Sequence, residues 1–360
     1  MATCPDIEAT RLTVVEPSIP SFAAEQVEEQ ERGGGSSFDA RSLRVRVITI
    51  ALLVGMVVSL LLAVPGLSEV REDIRHMGAG WLGLAVVLEL ASCTSFVVIF
   101  RHFFKPVPAR PARRLAWAEM GSGALLPGGG LSSLAVGGWL LHLAGMPTRL
   151  ILRSSSGLFL LTSAMNVAAL IGGGLLLATG LSAGESDPLR AGLPIVAGTS
   201  AIVAVLALPW LSGRRPAARI GRSWSGELLR GVGEAKGALR HPSWRLLGAF
   251  GYLGFDIAVL WAALSAVGYQ PPLAVLILGY IIGYLANLIP IPGAVGVLEG
   301  GLAGTLILYG APAAQAAAGV LVYHAIAFWI PGLGGLMAYR QIRRDLGESM
   351  GEPDPVQSMA

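Results

Sequence analysis

Apolar residues in this chain gather in long unbroken runs, with neither the 3.6-residue period of a surface helix nor the alternation of a half-buried strand. Runs over 45–64, 81–100, 157–177, 191–211, 246–267 and 316–339 each approach or exceed the roughly 20 residues that a helix needs to cross a bilayer. Two more apolar stretches are interrupted. The first, 116–146, stops at Pro127 and a glycine run, Gly128, Gly129 and Gly130, before Ser132 and Ser133. The second runs from 272 to 289, meets Pro290 and Pro292, turns through Gly293 and Gly296, and resumes after Glu299 to reach 309. Proline removes a backbone donor and glycine frees the backbone, so both stretches are expected to break as helices. The pattern predicts an all-α fold: a polytopic membrane helix bundle of about six full spans plus two broken, re-entrant helical hairpins.

Composition sharpens this picture. The 360 residues are 53% hydrophobic and only 14% charged, against about 25% charged in soluble domains. A soluble enzyme or a nucleic-acid-binding protein is excluded by that balance. Residues 1–41 carry eight acids and three bases with a Gly33–Gly34–Gly35–Ser36–Ser37 run. They are expected to be a disordered acidic tail. The transmembrane domain is expected over 42–344, and 345–360 to be a short disordered tail.

Charge then sets orientation. Bases cluster at Arg41–Arg46, Arg101–Arg114, Arg214–Arg245 and Arg340–Arg344, whereas the loops near 182–190, 268–270 and 311–315 are acidic or uncharged. Basic loops stay inside, so both termini are expected in the cytoplasm. Trp81, Trp210 and Trp244 are expected at the membrane interfaces.

The two broken stretches align without gaps. Pro127–Gly128 matches Pro292–Gly293, an offset of 292 − 127 = 165, and Leu141, Leu143, Gly145 and Pro147 match Leu306, Leu308, Gly310 and Pro312 at that same offset. One hairpin is flanked by basic loops and the other by neutral ones, which predicts entry from opposite faces. That is the arrangement of an inverted repeat, with halves over 45–179 and 191–339, whose broken helices meet at a midplane substrate site.

Carboxylates inside apolar stretches are costly and mark functional sites. Glu299 follows a backbone break, and Asn287 and the carbonyls freed near Pro290 and Pro292 supply acceptors beside it. Asp256 lies in the fifth span, as a second acid of a cavity or as a helix-to-helix contact. Glu89 lies in the second, as a buried contact or part of a pathway. His324 lies in the last, and histidine is the side chain whose charge changes near neutral pH. The glycines and serines of the first break complete the candidate set. Cys4 and Cys93 form no spacing pattern, and there is no HExxH, P-loop or zinc spacing, so no metal or cofactor is expected.

The order Pro292–Gly293–x–x–Gly296–Val297–x–Glu299, then Gly310–x–Pro312, Leu321–Val322–Tyr323–His324 and Phe328–Trp329–x–Pro331–x–x–x–Gly335, resembles the lysylphosphatidylglycerol synthase transmembrane-domain family. Pro127–Gly128–Gly129 with Gly145 resembles its other signature. The resemblance covers roughly 45–344. It implies a multi-pass bacterial inner-membrane protein that handles lipid-linked groups. In the full-length synthase, this part flips aminoacylated phosphatidylglycerol and a separate soluble domain makes that lipid; no such domain is expected after position 339 here. The chain departs from the family at His324, where many members carry arginine, and at 129–133, where many carry an Arg–Gly–Glu pattern.

The expected function is that of a lipid flippase or transporter holding a phospholipid or lipid-linked headgroup in a midplane cavity. The alternatives are an intramembrane transferase acting on a lipid-linked donor and a non-transporting partner of an envelope-assembly enzyme. No catalytic motif is present, so transport is expected rather than catalysis.

Overall fold

The computed structural model of the chain describes residues 78–126, 130–182, 187–212, 237, 243–285 and 297–351, all within the compact unit Gly66–Ala360. The acidic tail, the first apolar run at 45–64, most of the basic loop at 214–245 and the end of the C-terminal tail lie outside these residues. So do both proline–glycine breaks except Gly130.

Among the described residues, all regular structure is helical. In chain order the helices are α1 (Ala79–Phe103), α2 (Ala109–Leu125), α3 (Gly130–Leu143), α4 (Thr148–Ala178), α5 (Pro188–Ser212), α6 (Leu247–Ala266), α7 (Leu273–Leu285), α8 (Val297–Leu308) and α9 (Ala313–Gly351). A single 3-10 turn, Trp244–Leu246, leads into α6. Among the described residues, five segments are long and apolar enough to span a membrane: Ala79–Phe103, Thr148–Ala178, Pro188–Ala207, Trp244–Ala266 and Ala313–Asp345. They correspond to the second through sixth apolar runs. Val87, Leu193, Val203, Leu206 and Phe250 are exposed on their flanks, as residues facing lipid tails should be.

Two helices extend beyond their apolar runs. α4 starts nine residues before 157, taking in Arg149 and Arg153. Arginine is a good helix former and no glycine or proline intervenes before Gly157, so the helix continues through this stretch. α9 carries Pro331 inside it and runs on to Gly351. At its far end, Asp345 pairs with Arg114 of α2.

The broken stretches form the shorter helices. α2 and α3 pack together, as do α7 and α8. The 13 residues of α7 and the 12 of α8 reach only about 18–20 Å at 1.5 Å per residue. That is short of the roughly 30 Å hydrocarbon core.

The main packing relationships among eight of these helices follow the 165-residue offset. Shifting by 165 turns α1, α2, α3 and α4 into α6, α7, α8 and α9. The shift converts the α2–α3 pair into α7–α8, α3–α4 into α8–α9, α2–α9 into α7–α4, and α1–α4 into α6–α9; each member of these couples is present. α1 and α6 exchange with each other, and they form the most extensive helix pair among the described residues. Their register is antiparallel. Gly78 N–H donates to the Ala266 carbonyl at 3.4 Å at one end. The Ser92 hydroxyl donates to the Tyr252 carbonyl at 3.0 Å further along. At the other end, a methyl group on Gly248 would fall 2.9 Å from the Ile99 nitrogen. Glycine here lets the two backbones touch, as is usual where membrane helices associate. An antiparallel pair whose members exchange under the offset implies a two-fold axis across the helices. The offset exchanges positions 90 and 255, since 255 − 90 = 165, and these lie opposite each other in that register.

The turns obey the same offset. Gly145 and Gly310 both sit in the left-handed region, at φ 83° and 94°. Gly145 N–H donates to His142 at 2.9 Å and Met146 N–H to Leu141 at 3.1 Å. In the second copy, Gly310 N–H donates to Ile307 at 2.9 Å and Ala311 N–H to Leu306 at 2.9 Å. Both are Schellman turns closing a helix C-terminus. Pro147 and Pro312 then start the next helices.

Candidate functional site

Glu299 sits in the first turn of α8, directly after the second break. His324 sits in α9, which packs along α8. Their side chains meet, with His324 Nε2 3.2 Å from Glu299 Oε1. The pair is not sealed: the Glu299 side chain is 18% exposed and that of His324 37%. Phe328, one helical turn beyond His324, stacks on the imidazole with ring centres 6.0 Å apart. Trp329 meets Phe328 edge-on and is itself exposed. A polar pair with an aromatic shelf therefore opens at the side of α9.

Asp256 takes a different neighbourhood. It lies in α6 and is 9% exposed. The Tyr280 hydroxyl donates to its Oδ2, and the Tyr323 hydroxyl donates to its Oδ1 at 3.1 Å. Tyr284 and Tyr323 share a hydrogen bond of 3.1 Å between their hydroxyls. Tyr280 and Tyr284 stack with centres 4.8 Å apart. Three helices meet at one carboxylate: α6 supplies Asp256, α7 reaches it through Tyr280 and α9 through Tyr323, which Tyr284 of α7 also bonds. Tyr323 and His324 are neighbours in sequence and point roughly 100° apart around the helix. One turn of α9 thus contributes to the closed Asp256 cluster through Tyr323 and to the open Glu299 contact through His324. Asp256, Glu299 and His324 thus fall in two adjacent contacts, Asp256 in one and Glu299 with His324 in the other.

Glu89 lies in α1, 5% exposed. Its Oε1 receives the Cys93 thiol at 3.6 Å, one turn away. Tyr252 of α6 packs its ring against Phe96 at 5.2 Å.

The remaining candidates divide by location. Ser132 and Ser133 lie half-buried in the first turn of α3, and Gly130 is the exposed first residue of that helix. Asn287, Pro292, Gly293, Gly296, Pro127, Gly128 and Gly129 fall outside the described residues, so the expected meeting of the two breaks does too. Trp244 is exposed, with the Arg245 guanidinium 6.0 Å from its ring. Trp81 turns inward and meets Trp261 edge-on at 5.0 Å. An open recess of about 450 Å³ at the α4–α5 and α6–α7 turns is lined by Trp261, Gln270, Pro272 and Ser182. None of the site candidates lines it.

Two groups escaped the reading of the sequence. Tyr280 and Tyr284, spaced four apart, put two hydroxyls on one face of an otherwise apolar helix, which is a legible signal for a buried polar partner. Glu119 of α2 is 6% exposed. It packs against Gly137 of α3, where a methyl group would fall 2.8 Å from its carboxyl carbon. The glycine pair 137–138 in the facing helix was the trace it left.

A family profile described as lysylphosphatidylglycerol synthase TM region matches residues 47–335. A UPF0104 membrane protein of Methanothermobacter thermautotrophicus is 35% identical over 91 residues. That alignment takes in 25% of this chain and 26% of the relative, so it spans about a quarter of the curated protein's length.

Proposed function

The chain belongs to the lysylphosphatidylglycerol synthase TM-region family, and from that premise we propose that it moves a lipid, or a lipid-linked group, between bilayer leaflets. The observation that carries this reading is the partly exposed Glu299–His324 pair at the start of a half-length helix. A fully lipid-facing carboxylate would be costly, and a fully buried one would not reach a ligand. Glu299 keeps some accessibility in the first turn of α8. Its carboxylate suits an ammonium or hydroxyl of a headgroup. The start of α8, with its partial positive charge, suits the phosphate of the same lipid. A zwitterionic or aminoacylated lipid satisfies both.

The pseudo-two-fold relation of the helices supports alternating exposure of such a site, since exchanging the conformations of the halves exchanges the faces. We take the halves as 45–179 and 191–339, and the basic loops support cytoplasmic termini in a bacterial inner membrane.

The test is lipid movement by the purified protein in liposomes. Headgroup-labelled phosphatidylglycerol, lysyl-phosphatidylglycerol and phosphatidylethanolamine would be presented in separate preparations, with an impermeant quencher outside. Faster loss of protected signal for an amine-bearing lipid, abolished by Glu299→Gln, is the expected result. No movement of any of them would sink the transport reading. Formation of a new lipid product from a lipid-linked donor would put an intramembrane transferase in its place, and capture of an envelope-assembly enzyme without either activity would favour a partner role.

A further inference from the structure

The crossing of α1 and α6 carries a second acidic centre that the lipid reading does not use. Glu89 and Asp256 flank positions 90 and 255, where the two-fold axis passes. Asp256 acts electrostatically on Glu89. The two carboxylates are held very differently. Asp256 has a hydroxyl donor on each oxygen, from Tyr280 and Tyr323. Glu89 has the weak thiol of Cys93 on one oxygen, and its Oε2 is buried with no partner among the described residues.

The groups that face this centre are few. α1 contributes Glu89 and Cys93, α6 contributes Asp256 and Tyr252, α7 contributes Tyr280 and Tyr284, and α9 contributes Tyr323. α4 packs against both α1 and α6 and has no ionisable residue from 154 to 178. Glu119 of α2, Glu299 of α8 and His324 of α9 are not among the groups acting on either acid. Among the described residues, no lysine, arginine or histidine acts on either acid. Two negative charges in one buried interior repel strongly, and such pairs hold a shared proton. Hydroxyl donors favour the charged form of the acid they reach. They mark Asp256 as the carboxylate, which leaves the orphaned Oε2 of Glu89 as the seat of the proton.

We propose that Glu89 and Asp256 form a proton-binding site at the axis between the two repeats, holding one exchangeable proton. Binding a proton there removes one charge from the interface on which the α1–α6 crossing turns. Release leaves two charges that push the helices apart. The site is thus placed to link proton occupancy to the packing of one repeat on the other, and it stands whether or not the cargo is a lipid.

Infrared difference spectra of the full chain in lipid nanodiscs, taken between acid and alkaline pH in H₂O and D₂O, test this. The wild type should show a protonated-carboxyl stretch that shifts in D₂O and is lost on titration. Glu89→Gln copies the protonated shape, so it should fold and lose that band. Glu119→Gln, which alters the other buried acid, should keep it. In Asp256→Asn the band should titrate at a different pH, because the neighbouring charge is gone. If Glu89→Gln yields no folded protein, the remaining spectra still decide. Absence of a D₂O-sensitive titrating band in the wild type overturns the proposal. So does a band that disappears in Glu119→Gln, or one displaced by sodium at constant pH, which would make this a metal-cation site.

Discussion

Gly145 and Gly310, 165 positions apart, adopt the same left-handed turn and receive the same pair of closing hydrogen bonds. A side chain at either position forces an L-residue into a conformation that costs about 1–2 kcal/mol. Gly145→Ala and Gly310→Ala should therefore lower stability by comparable amounts, and Gly145→Val and Gly310→Val by more. Thermal unfolding in one detergent would compare them. Unequal losses, with one site indifferent, would mean that the two turns are not structural equivalents.

The residues after those turns report orientation. Thr148 and Ala313 are exposed first residues of α4 and α9, and they exchange under the offset. Cysteines placed there singly, in a background lacking Cys4, should react with an impermeant maleimide from opposite sides of the membrane. The 148 site should label from the cytoplasmic side, given the basic residues Arg149 and Arg153. Labelling of both from one side would defeat the inverted arrangement.

The Glu299–His324 contact should behave as a unit. Glu299→Gln and His324→Gln should each weaken binding of an amine-bearing lipid, read by native mass spectrometry, while leaving the yield of folded protein near wild type. The double variant should be little worse than either single one, because groups in contact are coupled by about 0.5–3 kcal/mol. Strict additivity would show that the two act separately.

The tyrosine cluster ties α6, α7 and α9 together. Tyr280→Phe and Tyr323→Phe each remove a donor to a buried carboxylate, at a cost of about 1.5–3 kcal/mol for a hydrogen bond to a charged group. Both should melt earlier than the wild type. Tyr284→Phe loses only a contact between hydroxyls and should cost less. An unchanged melting temperature for Tyr323→Phe would show that α9 is held without this bond.

Close packing of α2 on α9 rests on two glycines. A methyl group on Gly121 would lie 2.6 Å from the Gly335 Cα and 2.8 Å from the Pro331 carbonyl oxygen. Gly121→Leu should destabilise by at least the roughly 1–3 kcal/mol of ordinary overpacking, since the obstacle is backbone. Gly83→Ala in α1, where nothing lies within 4 Å, should be neutral or mildly stabilising. If the two variants melted alike, α2 and α9 would not be in backbone contact in the folded protein.

Hydropathy, helix breakers and residue identity by themselves determined the helical membrane class, the apolar runs that become α1, α4, α5, α6 and α9, and the 165-residue offset. They also pointed to Glu299, Asp256 and His324. These features are local: a bilayer sorts each segment by its own apolar length, and proline or glycine breaks a helix from within. The tertiary structure decided which polar groups meet. It joined Glu299 to His324 and Asp256 to Tyr280 and Tyr323, turned Trp81 inward onto Trp261, and left one oxygen of Glu89, at the crossing of α1 and α6, with no partner among the described residues. Hydropathy is silent on these pairings because lipid tails are as apolar as the helices they surround. Helix association in a membrane is settled by close approach at small residues and by hydrogen bonds between neighbours, and those depend on which faces come together in space.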